Sequence, residues 1–320
     1  MAGWQMVRRD RASWQEREAL ATLLFMVTLY TLALSLCAVA RHHSLRTLFD
    51  LAVFDQTLWN TLRGRFLFHS LGGDANHLAR HFSPILLLLL PFYALHPQPE
   101  TLLVLQSLAL ALGALPLFWL SREHLGKQSL GLAISLAYLL SPALHDINLK
   151  GFHVHPFALS ALLFAFHYAS RRQWLGYSIS LSIAIFCREE ISLTTAALGL
   201  YLWLACHERK AGAITFLVSL GWFVAVVGVA MPSLRGEASY IPATPGYRYL
   251  GRTLREIVGG ALAHPQLVIT QITHPAKLNY LLWLLLPLGF LPLAFPEAFI
   301  VAIPELFVNM ASTYYPNYQI

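Results

Sequence analysis

The sequence predicts an all-α fold, a polytopic bundle of transmembrane helices, and three features of the 320-residue chain point to it. Hydrophobic residues make up 57% and charged residues 12%, with a mean hydropathy of +0.55; soluble domains average roughly 45–50% and about 25%. Apolar runs near the length needed to cross a bilayer recur along the chain, with polar connections between them. No Gly/Ser/Pro-rich or charge-rich linker divides these runs, so a cytoplasmic tail at 1–18 and a single membrane domain at 19–320 are expected.

Taken in order, the tail carries Arg8, Arg9, Arg11 and Arg17 and leads into an uncharged run at 19–40, long enough for a hydrocarbon core of about 30 Å. Its end, Ala38-Val39-Ala40, has the look of a signal-peptidase site, but the run exceeds the about 7–15 residues of a signal core and reads as a span. Residues 41–83 are polar and aromatic. Within them Leu51, Phe54, Leu58 and Leu62 recur at helical spacing, which predicts an amphipathic helix lying in the membrane interface. The run at 84–95 is short and contains Pro91, which suits a re-entrant segment better than a crossing. Further runs at 101–120, 129–144, 156–170, 174–187, 191–206, 212–231 and 279–303 bring the expected count to about eight spans plus interfacial or re-entrant helices.

The charge of +6 is scattered between the runs rather than gathered on one face, which argues against a nucleic-acid partner and for setting orientation in the bilayer. Four connections are basic: the tail, 122–127, Arg171-Arg172 and Arg209-Lys210. With 84–95 not crossing, all four fall on one side, which the positive-inside rule makes cytoplasmic. The expectation is a multi-pass plasma-membrane protein with its N-terminus in the cytoplasm and outer-face segments at 41–83, 145–155, 187–190 and 232–278. Cys37, Cys187 and Cys206 lie in or beside apolar runs without a paired spacing and read as small hydrophobes.

The outer segments hold the chemistry-bearing residues. Asp50 stands at the start of the amphipathic segment, where an N-cap worth about 1 kcal/mol is one reading and an acid–base role at the membrane surface the other. Asp55 is about 140° further around a helix, so one of the two is expected to be chemical. Asn60 lies on the same segment. Asn76, His77 and His81 sit around a helical turn; a His pair at i and i+4 without an adjacent Glu is a weak zinc signal, and interfacial hydrogen bonding accounts for it as well. His145, Asp146, His153 and His155 crowd one loop, suited to a divalent ion or a phosphate. Glu189 and Glu190 stand between two apolar runs, where acidic groups are costly in lipid and face a cavity, a partner such as Arg188, or a substrate. The 232–278 segment mixes Tyr240, Tyr247 and Tyr249 with Arg248, Arg252 and Arg255, as a headgroup- or phosphate-contacting surface would.

The motifs FDLAVFDQTLWNTLRG, NHLARHFSPILLLLLPFYAL, CREE and FPEAFIVAIPELFVNMAS together resemble a family of bacterial and archaeal predicted membrane proteins with a domain of unknown function, over about 48–312. That family reads approximately YDLGxFDQxLWNxxxG, NHxxxHFSP, KED and PExxxxxxPExxxNxxS; where it reads roughly FHPE, this chain has Phe152-His153-Val154-His155. The family is similar in turn to multi-spanning glycosyltransferases of the GT-C type, which take sugar from a polyprenyl-phosphate carrier at the outer face. That resemblance implies a GT-C-like bundle, a polyprenyl-phosphate-sugar donor, and Asp50 as general base or metal-facing carboxylate, with Glu189 or Glu190 as a further acid. It also implies a divalent metal, Mg or Mn, held by Asp50 and Glu190. The same carboxylates with His and Arg neighbours suit a transporter or flippase of an anionic lipid-linked substrate, and a noncatalytic membrane protein is the third class.

Overall fold

The computed structural model describes residues 2–46, 49–71, 76–235 and 245–314, with side chains in the first helix described from Glu16 onward. Tyr240 lies outside these residues. The described chain is helical throughout, with one isolated antiparallel bridge between Phe68 and Asn76. It divides into two compact units, Met1–Arg65 with Ile85–Ala184, and Phe66–Pro84 with Ile185–Ile320.

Three described helical stretches are long and apolar enough to cross a membrane: Glu16–His43, Pro99–Leu125 and Arg209–Leu234. A fourth forms if Gln128–Leu139 and Pro142–Leu149, bent by 41° at their junction, count as one span. The remaining apolar runs give shorter helices, among them Ile85–Leu95, His155–Ser170, Trp174–Ile185 and Ile191–Leu204. Among the described residues, length and composition alone thus give three candidate spans, or four with the bent pair.

In the first unit, Ala19, Leu23, Val27 and Tyr30 of the long helix Ala2–His43 pack on Leu110, Ala111, Ala114 and Phe118 of Pro99–Leu125, and on Leu139 and Leu144. Lipid tails are as apolar as leucine, so such contacts are held by van der Waals fit, and the alanines let the backbones approach. Pro99–Leu125 is two helices joined at Gly113, where a Cβ would lie 2.3 Å from the Tyr138 hydroxyl. That hydroxyl donates to the Leu110 carbonyl at 2.9 Å, so the joint requires glycine.

The second unit is built on the hairpin of Ile191–Leu204 and Arg209–Ala225, closed where Gly199 and Gly212 meet backbone to backbone: a Cβ on Gly199 would lie 2.6 Å from the Phe216 nitrogen. Thr195 donates to Ser219 Oγ at 2.9 Å between the same two helices. A π-helical turn, Val226–Ala230, carries the span on to Met231–Arg235.

Two sequence expectations are corrected. The run at 279–303 is not one span; it divides into Pro275–Leu285, Leu286–Leu288, Leu291–Ala294 and Pro296–Phe299. Pro287, Pro292 and Pro296 lack the amide that would continue the helix, and Gly289 and Phe290 take left-handed backbone, φ 57° each, between the pieces. The 145–155 segment is not a loop throughout. Its first part is the end of Pro142–Leu149, and His155 opens the helix His155–Ser170.

Candidate functional site

The helix expected around Asp50 is present as Phe49–Thr61, with Leu51, Phe54 and Leu58 buried on its inner side; Leu62 lies beyond its end and is exposed. Asp50 is the second residue of this helix, in the first turn, so it is not the N-cap itself; its charge complements the positive end of the helix dipole. Its side chain is 54% exposed, with Oδ2 3.9 Å from Nδ1 of His153. That separation exceeds a hydrogen bond and leaves the pair open to solvent and to a bridging hydroxyl.

His153 is positioned by a residue that the sequence reading did not single out. Gln106, fully buried in Pro99–Leu112, donates its amide to the Gly151 carbonyl at 2.8 Å and accepts the His153 amide at 2.5 Å. Asn148 extends the network to Ser107 Oγ at 3.0 Å and to the Leu34 carbonyl at 3.3 Å. Gly151 turns at φ 122°, and Phe152 is buried edge-on against Phe54 at 5.0 Å between centroids. The connection carrying His153 is thus fastened to the helix carrying Asp50. The legible signal was two adjacent polar residues, Gln106-Ser107, inside an apolar run, since polar groups there are retained for a partner.

Asp55 serves another purpose. The buried Tyr93 hydroxyl donates to its Oδ1 at 2.5 Å, and burial pushes the Asp55 carboxyl up while that hydrogen bond pulls it down. Asn60 is buried near the end of the helix, and its carbonyl accepts the amides of Arg63 and Arg65 at 3.0 Å in the turn that Gly64 completes at φ 80°. His145 contacts the Leu139 carbonyl at 2.7 Å, Asp146 pairs with Lys150 at 2.6 Å, and His155 is half-buried at its helix start.

The second unit gathers most of the other predicted residues. Asn76 caps the short helix His77–Arg80, accepting the Leu78 amide at 2.9 Å. His81 follows it, and its Nδ1 lies 3.2 Å from Oε1 of Glu189, while Oε2 accepts the Phe82 amide at 2.9 Å. On the far side of the ring, Nη2 of Arg188 approaches Nε2 at 3.3 Å. A guanidinium can only donate, so Nε2 accepts and Nδ1 carries the proton toward Glu189. Glu190 Oε1 lies 2.8 Å from Nε of Arg188. Both acids precede the helix Ile191–Leu204, at its positive end. His69 and His77 are buried beside them, with ring centroids 5.8 Å apart; burial first, then the neighbouring cations, holds His77 well below the ordinary imidazole range.

Arg248 is exposed, whereas Tyr247 and Tyr249 donate their hydroxyls to the carbonyls of Val308 and Ala311. Buried Lys277 donates to Met310 and Ser312 at the same helix end. These tyrosines therefore close the C-terminus of Ile303–Ala311. Among the described residues no group of three or more His, Cys, Asp or Glu side chains is placed to hold a metal ion. Asp50 and Glu190 belong to separate units.

The chain belongs to a family described as predicted membrane proteins, DUF2079, whose model matches residues 41–320. No curated protein and no solved structure matches it.

Proposed function

We propose, from this family membership as the premise, that the protein is a glycosyltransferase of the GT-C type using a polyprenyl-phosphate-linked sugar at the outer face of the plasma membrane. The observation that carries the reading is Asp50: an exposed carboxylate in the first turn of an amphipathic helix, beside His153 at 3.9 Å. In the reaction an acceptor hydroxyl oxygen bonds to the anomeric carbon as the bond from that carbon to the carrier phosphate breaks. The electron pair leaves on the phosphate oxygen, and the hydroxyl proton passes to Asp50. His153, 3.9 Å from the carboxylate, is placed to meet the same acceptor hydroxyl. About eight crossings, with the N-terminus in the cytoplasm, put Asp50 on the outer side; each of the shorter apolar helices then borrows flanking residues to cross. A divalent ion, Mg or Mn, enters the reading only through Asp50 and the donor phosphate, since Mg often takes one or two carboxylates and fills its shell from substrate; no step is assigned to it.

The test uses purified protein in membranes with radiolabelled polyprenyl-phosphate sugars, with and without chelator. Asp50→Asn is expected to lower label transfer by about 10²–10⁴, the usual cost of a lost base, with expression unchanged. Turnover equal to the parent in Asp50→Asn overturns the role of Asp50, and vectorial movement of intact lipid without transfer assigns the protein to the flippases instead.

A further inference from the structure

The segment after the span Arg209–Leu234 contains a helix whose apolar side is left bare. Leu254–Ala263 is started by Thr253, whose hydroxyl accepts the Glu256 amide at 3.2 Å, while Glu256 reaches back to the Arg252 amide at 2.8 Å. This reciprocal cap fixes both the helix and its face. Leu254, Ile257, Val258, Ala261 and Leu262 fall on one side, at i, i+3, i+4, i+7 and i+8. Leu254 rests on Val226, Val227 and Met231, at the end of the span. The stripe then runs off the protein: Val258 is 51% and Leu262 78% exposed. The next helix, Pro265–Ile272, adds exposed Leu267 and Ile269. Exposed Arg252 and Arg255 flank this helix, and within 248–272 the one carboxylate is that of Glu256, which is engaged in the cap.

We infer that 248–272 is a lipid-binding surface that lies in the bilayer interface, with Val258, Leu262 and Ile269 among the acyl chains and the arginines on the phosphates of anionic headgroups. Three observations select the lipid over other occupants. The contact of Leu254 with the end of a membrane span sets the helix at the level of the bilayer edge. The excess of guanidinium over carboxylate complements phosphate. An amphipathic helix of this pattern also has its lowest energy with its apolar side about 5–10 Å below the headgroup boundary. The inference does not depend on the transferase reading, because it concerns where the segment lies and not what is turned over.

The full chain in lipid nanodiscs tests it. Exposed Cys37 and Cys206 are replaced by Ala, and a nitroxide is attached through Leu262→Cys or, on the side of the helix turned away from the apolar stripe, through the exposed Ala263→Cys. Collisions with oxygen and with a water-soluble nickel chelate give the depth. The expected result is a label at 262 that is shielded from nickel and open to oxygen, at a depth of about 5–10 Å, and one at 263 with the reverse pattern. Adding phosphatidylglycerol to phosphatidylcholine discs is expected to deepen the label at 262, and Arg252→Gln with Arg255→Gln to remove that response. A label at 262 as open to nickel as that at 263 overturns the inference. So does an immobilised label in a particle of doubled protein mass, which would assign the face to a second copy, and so does a depth that ignores lipid charge.

Discussion

Each unit pairs an acidic side chain with a histidine, under opposite conditions. Asp50 is 54% exposed, and its nearest imidazole nitrogen lies beyond hydrogen-bond reach, at 3.9 Å. Glu189 is 4% exposed with both oxygens engaged, one by His81 and one by the Phe82 amide. A carboxylate whose oxygens already face fixed donors has little accepting capacity left for a substrate, whereas one at the surface is free to take a proton or face a phosphate. Loose geometry in the absence of substrate is also what an acid–base pair commonly shows before the reacting groups arrive. The comparison fits Glu189 to holding the second unit together, while Asp50 keeps the open carboxylate that the proposed reaction requires.

The largest expected difference between the two is in stability. Glu189→Ala leaves the Phe82 amide and the His81 Nδ1–H without their acceptor, and hydrogen bonds to a charged group are worth about 1.5–3 kcal/mol each. Asp50→Ala, at an exposed site, is expected to stay within about 0.5 kcal/mol. Thermal unfolding in detergent measures both, and equal shifts would break the distinction.

A smaller effect is expected from Gln106→Leu, which orphans the Gly151 carbonyl and the His153 amide at about 1–3 kcal/mol for each group left unpaired. Because the same side chain fixes His153, sugar turnover should fall alongside the thermal midpoint. A turnover loss with no stability loss would place Gln106 in contact with substrate instead of beneath His153.

The smallest effect is a dependence on pH. Burial holds His77 below its unfolded value near 6.5, so the unfolded chain binds the extra proton first and stability falls as pH drops through about 6.5 toward the folded value. The parent is expected to lose more of its thermal midpoint than His77→Gln between pH 7.5 and 5.5. The same loss in both proteins would move the acid sensitivity to another group.

The sequence by itself determined the helical, bilayer-seated character of the chain and the buried face of Phe49–Thr61, because both follow from composition and from periodicity within a few residues of one helix. It also brought Asp50, His81, His153, Arg188 and Glu189 forward, since charged and imidazole groups at the ends of apolar runs stand out against their surroundings. Spacing could not reveal that Glu189 meets His81, 108 positions away, or that Gln106 holds the connection that carries His153, 47 positions away. Nor could it show that Asp55 is taken up by the buried Tyr93 hydroxyl, which leaves Asp50 as the open aspartate of the helix. Those are pairings between distant segments. Only tertiary packing decided them, by burying one carboxylate among donors and leaving another at the surface.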